Sequence, residues 1–412
     1  MEGYNKKVIM SYWTICRMKT TKKIYVKVSI IFLLGGILLF SSCEKEENQK
    51  IEANRKTLFM YLPWSSNLTN YFYNNISDLE KCITKIGLNN EKVIVFISTG
   101  STEAMMFEIV SSHGRCKREI LKKYKSPPFT TIDGITAILN DVKAFAPASV
   151  YTMIIGCHGM GWLPVYEMKV RSAPHMKMHW EYQGVPLTRY FGGLTAEYQT
   201  DIKSLASGIA NAGMKMEYIL FDDCYMSSIE VAYELKDVTK YLIGSTSEMM
   251  AYGMPYATVG EFLLGNPDYQ SGCEEFYNFY STYEIMPCGT LAVTDCSELE
   301  NMAAIIKSIN SKYSFDKSLR GTIQRLDGYT PVIFYDFADY ITSLCNDPIL
   351  LNQFREQLNH LVPYKTHTKN FYTMAKGIIP INTFSGITTS DPSDNPMTVL
   401  KENTLWYKAA HN

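Results

Sequence analysis

Metal-spaced cysteine pairs are missing from this chain. No CxxC occurs, and histidines and cysteines do not cluster, which excludes a zinc site built on that pattern. Ten cysteines in 412 residues are too few for a disulfide scaffold. Neither charge sign dominates, with 40 basic against 41 acidic side chains, so no basic patch marks a nucleic-acid partner. No EF-hand-like run appears, and neither a metal nor any other cofactor is expected. Internal repeats are absent, and past residue 56 no segment is low-complexity. The loop Ser98-Thr99-Gly100-Ser101-Thr102 has no accompanying phosphate-binding lysine, which argues against a flavodoxin-like ligand-binding domain. What remains is 46% apolar and carries 29 tyrosines, enough to pack a substantial core.

The N-terminus reads as an address. Residues 26–40 are apolar apart from Lys27 and Ser29, and they follow Lys22 and Lys23. That run is short for a bilayer span but has the length of a signal-peptide core. It ends in Leu39-Phe40-Ser41-Ser42-Cys43, similar to a bacterial lipobox in which Cys43 is lipidated and becomes the first mature residue. The expected division is a start-site artefact over 1–17, a lipoprotein signal over 18–43 and an acidic tether over 44–56. Residues 57–265 then form the core and 266–412 its C-terminal part. The expected location is outside the cytoplasm, on a lipid anchor in the bacterial outer membrane, facing the periplasm or the cell surface.

Past the tether, apolar runs alternate with amphipathic ones. The spacing predicts strands over 57–62, 92–98, 150–156, 216–222, 241–245 and 290–294. Helices are expected over 68–86, 132–145, 195–212, 227–235, 297–309, 336–345 and 349–361, with short strands and turns over 378–390. Strands alternating with helices imply an α/β fold whose mainly parallel sheet is covered on both faces. Chemistry in such sheets collects at the carboxyl ends of strands.

Two residues fall at such ends, His158 after one strand and Cys224 after another. A cysteine nucleophile needs a base nearby and donors for the oxyanion. Cys224 is read as lying just before a helix, whose N-terminus favours thiolate. Its own N–H is one candidate oxyanion donor. The N–H of Gly159, beside the histidine and without a side chain, is the other. Cys157 is a rival thiol that alternation from His158 turns toward the core.

The segment from Tyr151 through Cys157-His158-Gly159-Met160-Gly161-Trp162 resembles the catalytic-histidine segment of the clostripain family, an apolar strand running into His-Gly-x-Gly-Trp. Phe221-Asp222-Asp223-Cys224-Tyr225-Met226 is similar to that family's nucleophile segment, about 66 residues further on, an order that caspases share with a somewhat shorter gap. Gly253-Met254-Pro255-Tyr256 stands where the family has Gly-Trp-Pro-Tyr, and the resemblance spans about residues 57–410.

The resemblance implies a caspase-like three-layer α/β/α sandwich, with the C-terminal extension completing the sheet or forming a subdomain. It implies an exported cysteine endopeptidase acting on proteins or peptides through a Cys224/His158 dyad. Preference there is for Arg or Lys at P1, read by acids. Asp222 matches one of these, and Tyr252 stands where a second acid is usual. Glu248 lies nearby in the same loop. Zymogen cleavage is implied between the two segments, where Lys169, Arg171, Lys177 and Arg189 lie. Two other readings stay open: a non-catalytic surface lipoprotein of the same fold that binds peptides or a protein, and a transpeptidase using the same dyad.

Overall fold

A computed structural model describes residues 54–65, 68–165, 185 and 198–411. The signal segment, Cys43, most of the tether and the basic residues 169, 171, 177 and 189 lie outside the described residues.

One sheet is built from β1 (Asn54–Leu62), β2 (Glu91–Ser98), β3 (Glu103–Ser112), β4 (Arg115–Lys125), β5 (Ala148–Ile155), β6 (Met216–Phe221), β7 (Thr239–Gly244), β8 (Thr290–Asp295) and β9 (Tyr364–His367). These nine strands lie in the order β9-β8-β7-β6-β5-β1-β2-β3-β4. The central run β7-β6-β5-β1-β2 is parallel throughout. Every outer pairing, at β2–β3, β3–β4, β7–β8 and β8–β9, is antiparallel. The expected parallel sheet is therefore its centre. Strands β8 and β9 come from the C-terminal part, so that part completes the sheet.

Burial explains which strands are central. In β2, Val93, Ile94, Val95, Phe96 and Ile97 are all fully buried, as a strand covered on both faces requires. One covering layer contains α1 (Thr69–Ile86), α5 (Tyr256–Leu263) and α6 (Tyr269–Ser281), which pack in sequence on one another. The other contains α2 (Ile132–Phe145), α3 (Ile202–Asn211), α4 (Ile229–Leu235) and α7 (Leu299–Asn310), with α10 (Leu405–His411) against α4 and α7. Completing the set are α8 (Phe337–Leu344) and α9 (Pro348–Leu361). Each fully buried Leu, Ile or Phe of these layers contributes about 1.5–3 kcal/mol.

The hairpin β3–β4 has no counterpart in the sequence-based expectation. Its outer strand, RCKREILKKYK, alternates mainly between exposed and half-buried positions and has no apolar stripe to detect. Lysines on such an outer strand keep it from pairing with other chains. Helices α5, α6 and α10 were also not expected. Among the described residues no helix is long and apolar enough to cross a membrane.

Candidate active site

Strands β5 and β6 are neighbours, paired parallel with Ile155 opposite Phe221. Their carboxyl ends therefore open side by side, and the loops after them carry His158 and Cys224. Both residues are fully buried. The adjacency that the active-site reading needed is thus a property of the sheet.

The two loops touch through backbone. A Cβ added at Gly159 would fall 2.1 Å from the Cys224 carbonyl oxygen and 2.9 Å from the Cys224 nitrogen. Only glycine permits that approach. The loops are also joined by a carboxylate. Asp223 is fully buried; its Oδ1 accepts the Cys157 N–H at 2.7 Å, and its Oδ2 accepts the Cys157 thiol at 3.3 Å. Cys157 is thereby a buried structural thiol, as alternation indicated.

One sequence reading needs correction. Helix α4 starts only at Ile229, capped by Ser228, so its N-terminus is not at Cys224. A donor from another loop reaches the sulfur instead: the Met249 N–H points at Cys224 Sγ over 3.2 Å. That loop follows β7, the next strand along the sheet.

The residue after Cys224 is held in an unusual conformation. Tyr225 has φ of 62°, left-handed backbone that a bulky side chain rarely adopts. Its ring stacks on Phe334 at 4.9 Å, and its hydroxyl donates to Glu248 Oε1 at 2.8 Å. Glu248 Oε2 in turn accepts the Met374 N–H at 3.0 Å. Phe334 is anchored by Asp327, whose carboxylate takes the N–H groups of Tyr329, Ile333 and Phe334 at 2.6–2.8 Å. Burial pushes the Asp327 carboxyl up to about 6 against those bonds. Glu248 therefore serves the scaffold of the Cys224 loop.

The histidine loop has a prop of its own. Trp162 Nε1 donates to Ser390 Oγ at 2.9 Å, while the Ser390 N–H donates to Glu230 Oε1 at 2.7 Å. Burial, and next the charge of Asp391, push the Glu230 carboxyl up to about 7.

Asp222 is almost wholly buried beside the same loops. Its Oδ1 accepts the Met254 N–H at 2.9 Å and its Oδ2 accepts the Tyr256 hydroxyl at 2.9 Å. Tyr252, two residues before Met254, donates its hydroxyl to Asp78 Oδ2 of helix α1 at 2.7 Å. Sequence reasoning assigned nothing to Asp78, Asp223 or Met249. Asp223 stood inside the motif, but its partner is 66 residues away along the chain; Asp78 and Met249 carry no local signal.

The model of the clostripain family, a peptidase family, matches residues 60–391. The secreted C11 cysteine protease "iotapain" of Bacteroides thetaiotaomicron shares 58% identity, with a TM-score of 0.81, covering 87% of this chain and 99% of its own. A clostripain from Bacteroides thetaiotaomicron ATCC 29148, solved with the peptide inhibitor BTN-VLTK-AOMK, is 64% identical over 54% of this chain and 99% of its own, with a TM-score of 0.53. An inactive zymogen C11 protease from Parabacteroides distasonis shares the fold at 24% identity, with a TM-score of 0.71, covering 87% of this chain and 98% of its own. No protein among the curated sequences matches the chain significantly. The nine-stranded sheet with helices on both faces is thus the caspase-like α/β fold of these proteases.

Proposed function

The chain belongs to the clostripain family of cysteine peptidases, and from that premise we propose that it cleaves peptide bonds after basic residues with a Cys224/His158 dyad. The observation that carries the proposal is the contact of Gly159 with the Cys224 backbone, which brings the two loops together at one end of adjacent parallel strands.

The thiolate of Cys224 attacks the scissile carbonyl, and His158 protonates the leaving amine before water resolves the acyl-enzyme. The N–H groups of Gly159 and Cys224 hold the oxyanion. The Met249 N–H donates to the sulfur at 3.2 Å while the Met249 carbonyl accepts the thiol at 3.7 Å, so one residue engages the sulfur with and without its proton. Asp222 supplies negative charge to the P1 pocket, whose wall includes Tyr252. The loop that binds Asp222 also reaches the sulfur, which supports placing pocket and nucleophile together. The inhibitor solved with the 64% identical relative carries lysine beside its AOMK group, in line with a basic P1 preference here.

The single chain is a zymogen in this reading, cleaved within the region holding Lys169, Arg171, Lys177 and Arg189. Export and lipidation at Cys43 place the enzyme on the outer membrane, where its partners are protein or peptide substrates.

The test is turnover by residues 44–412 of fluorogenic peptides varied at P1, beside Cys224→Ala and His158→Ala. Wild type cleaves after Lys or Arg, and both variants lose about three orders of magnitude or more. Turnover surviving in Cys224→Ala removes the nucleophile assignment. A wild type inert even after trypsin treatment and with calcium present would make the chain a peptide-binding relative instead.

A further inference from the structure

The loop between Met249 and Tyr256 is stitched to helix α1, an element with no part in the chemistry above. Asn75 Nδ2 donates to the Tyr252 carbonyl at 2.9 Å. The Tyr252 hydroxyl donates to Asp78 Oδ2 at 2.7 Å. The Tyr252 ring is clamped by Phe279, stacked at 4.8 Å, and by Tyr283 at 5.8 Å. On one side of Tyr252 this loop reaches Cys224 Sγ through Met249; on the other it reaches Asp222 through Met254. Along the chain Tyr252 therefore lies between the residue that touches the candidate nucleophile and the residue that holds the candidate P1 acid, with its ring fixed and the Asp222 charge acting on its phenol.

The hydrogen-bond directions decide what such a wall can bind. The phenol gives its only proton to Asp78, so its oxygen meets other groups as an acceptor, polarised by the carboxylate behind it. Asp78 itself is spanned, with Lys81 Nζ on Oδ1 at 2.8 Å and Tyr252 on Oδ2. Lys81 is mostly solvent-exposed, so solvent screens its charge. Asp222 is spanned likewise, between the Met254 N–H and the Tyr256 hydroxyl. A guanidinium is best recognised by two oxygens of one carboxylate facing it in parallel. In both acids each oxygen already accepts one bond within the protein, so a bidentate guanidinium would have to compete with those partners. An ammonium is a compact charge that takes single oxygens one at a time, and a phenol oxygen suits it.

We propose that Tyr252 and Asp78 form a lysine-selecting wall of the P1 pocket, Tyr252 as the contacting oxygen and Asp78 as the charge that orients and polarises it. The inference rests on the basic P1 preference proposed above and narrows it to lysine over arginine. Burial, then the bond to Asp78 and its charge, raise the Tyr252 phenol above its ordinary range, so it stays a neutral donor to Asp78 at working pH. Asp78 is here a positioning residue, since it acts through Tyr252.

The experiment compares kcat/KM on paired fluorogenic peptides differing only in Lys or Arg at P1, using residues 44–412 processed as for the functional assay. Wild type prefers Lys. Tyr252→Phe keeps the ring and its stacking but removes the oxygen, and Asp78→Asn keeps an acceptor but removes the charge. Each lowers kcat/KM for Lys about tenfold, mainly through KM, with less effect on Arg. Tyr252→Asp, which places a short carboxylate on the loop, moves the Lys:Arg ratio toward Arg. Alkylation of Cys224 by iodoacetamide and a thermal melt report whether each variant is folded. Should Asp78→Asn fail to fold, the isosteric Tyr252→Phe decides alone. A wild type that takes Arg as readily as Lys overturns the inference. So does a Lys:Arg ratio that stays within about twofold of wild type in Tyr252→Phe. A wild type with no turnover at any basic P1, but with turnover elsewhere, removes the underlying P1 reading instead.

Discussion

Asp223 and Cys157 each stand one residue before a member of the candidate dyad, and they are bonded to each other: the Cys157 N–H meets Asp223 Oδ1 at 2.7 Å. One buried carboxylate thus sets the spacing of the loops that carry Cys224 and His158. Removing it strands a buried N–H donor, at a cost of about 1–3 kcal/mol. Asp223→Ala should melt lower than wild type and lose at least about tenfold in kcat, because both loops gain freedom. Asp223→Asn keeps an acceptor for the N–H and should lose less. Equal kcat in Asp223→Ala and wild type would show that the loops hold their geometry without the bridge.

Gly159→Ala tests the close approach directly. The new methyl would sit 2.1 Å from the Cys224 carbonyl oxygen, far inside contact distance, and that atom is backbone. The loops must separate, so we expect kcat/KM to fall by about two orders of magnitude with a lowered melting temperature. The comparison that checks it is Gly213→Ala. That glycine is open in space, so any stability loss there comes from its φ of 64° alone and should leave kcat/KM intact.

Glu230 makes stability depend on pH. Burial raises its carboxyl from the ordinary 4.5 to about 7 in the folded protein. Below 4.5 both folded and unfolded chains hold the proton. As pH rises from 4.5 toward 7 the unfolded chain releases it first, so stability falls through that window and the loss is complete above it. The linkage is on the order of 3 kcal/mol. Asp327, raised from 3.8 to about 6, acts with the same sign in a lower window. Denaturant melts of wild type and Glu230→Gln at pH 5 and pH 8 isolate the first term. The variant should lose distinctly less stability between the two pH values. Parallel behaviour of the two proteins would assign the pH dependence to other groups.

Cys43 is tested by fractionation. The full chain expressed in a bacterial host with lipoprotein processing should partition with membranes and take up a fatty-acid label. Cys43→Ser should lose both. Unchanged partitioning of the variant would mean that an ordinary secretory signal, or some other contact, accounts for the location.

The sequence alone determined the local units. The run Val93–Ile97, short, continuous and rich in β-branched residues, is typical of a strand covered on both faces, since five consecutive apolar side chains in a strand point alternately to opposite sides of a sheet. The same period placed His158 and Cys224 just beyond strand ends, and a side-chain-free Gly159 beside the histidine. Those are consequences of residues within one turn or one strand of each other. What only the tertiary structure decided was which ends meet. Pairing of β5 with β6, the Asp223–Cys157 bridge, the Met249 donor at Cys224 and the Asp78–Tyr252 bond join groups far apart along the chain, and nothing in local periodicity encodes them. The hairpin β3–β4 escaped for a related reason. Its outer strand is held by backbone pairing to β3 rather than by an apolar face, so its basic sequence shows no period until its partner is in place.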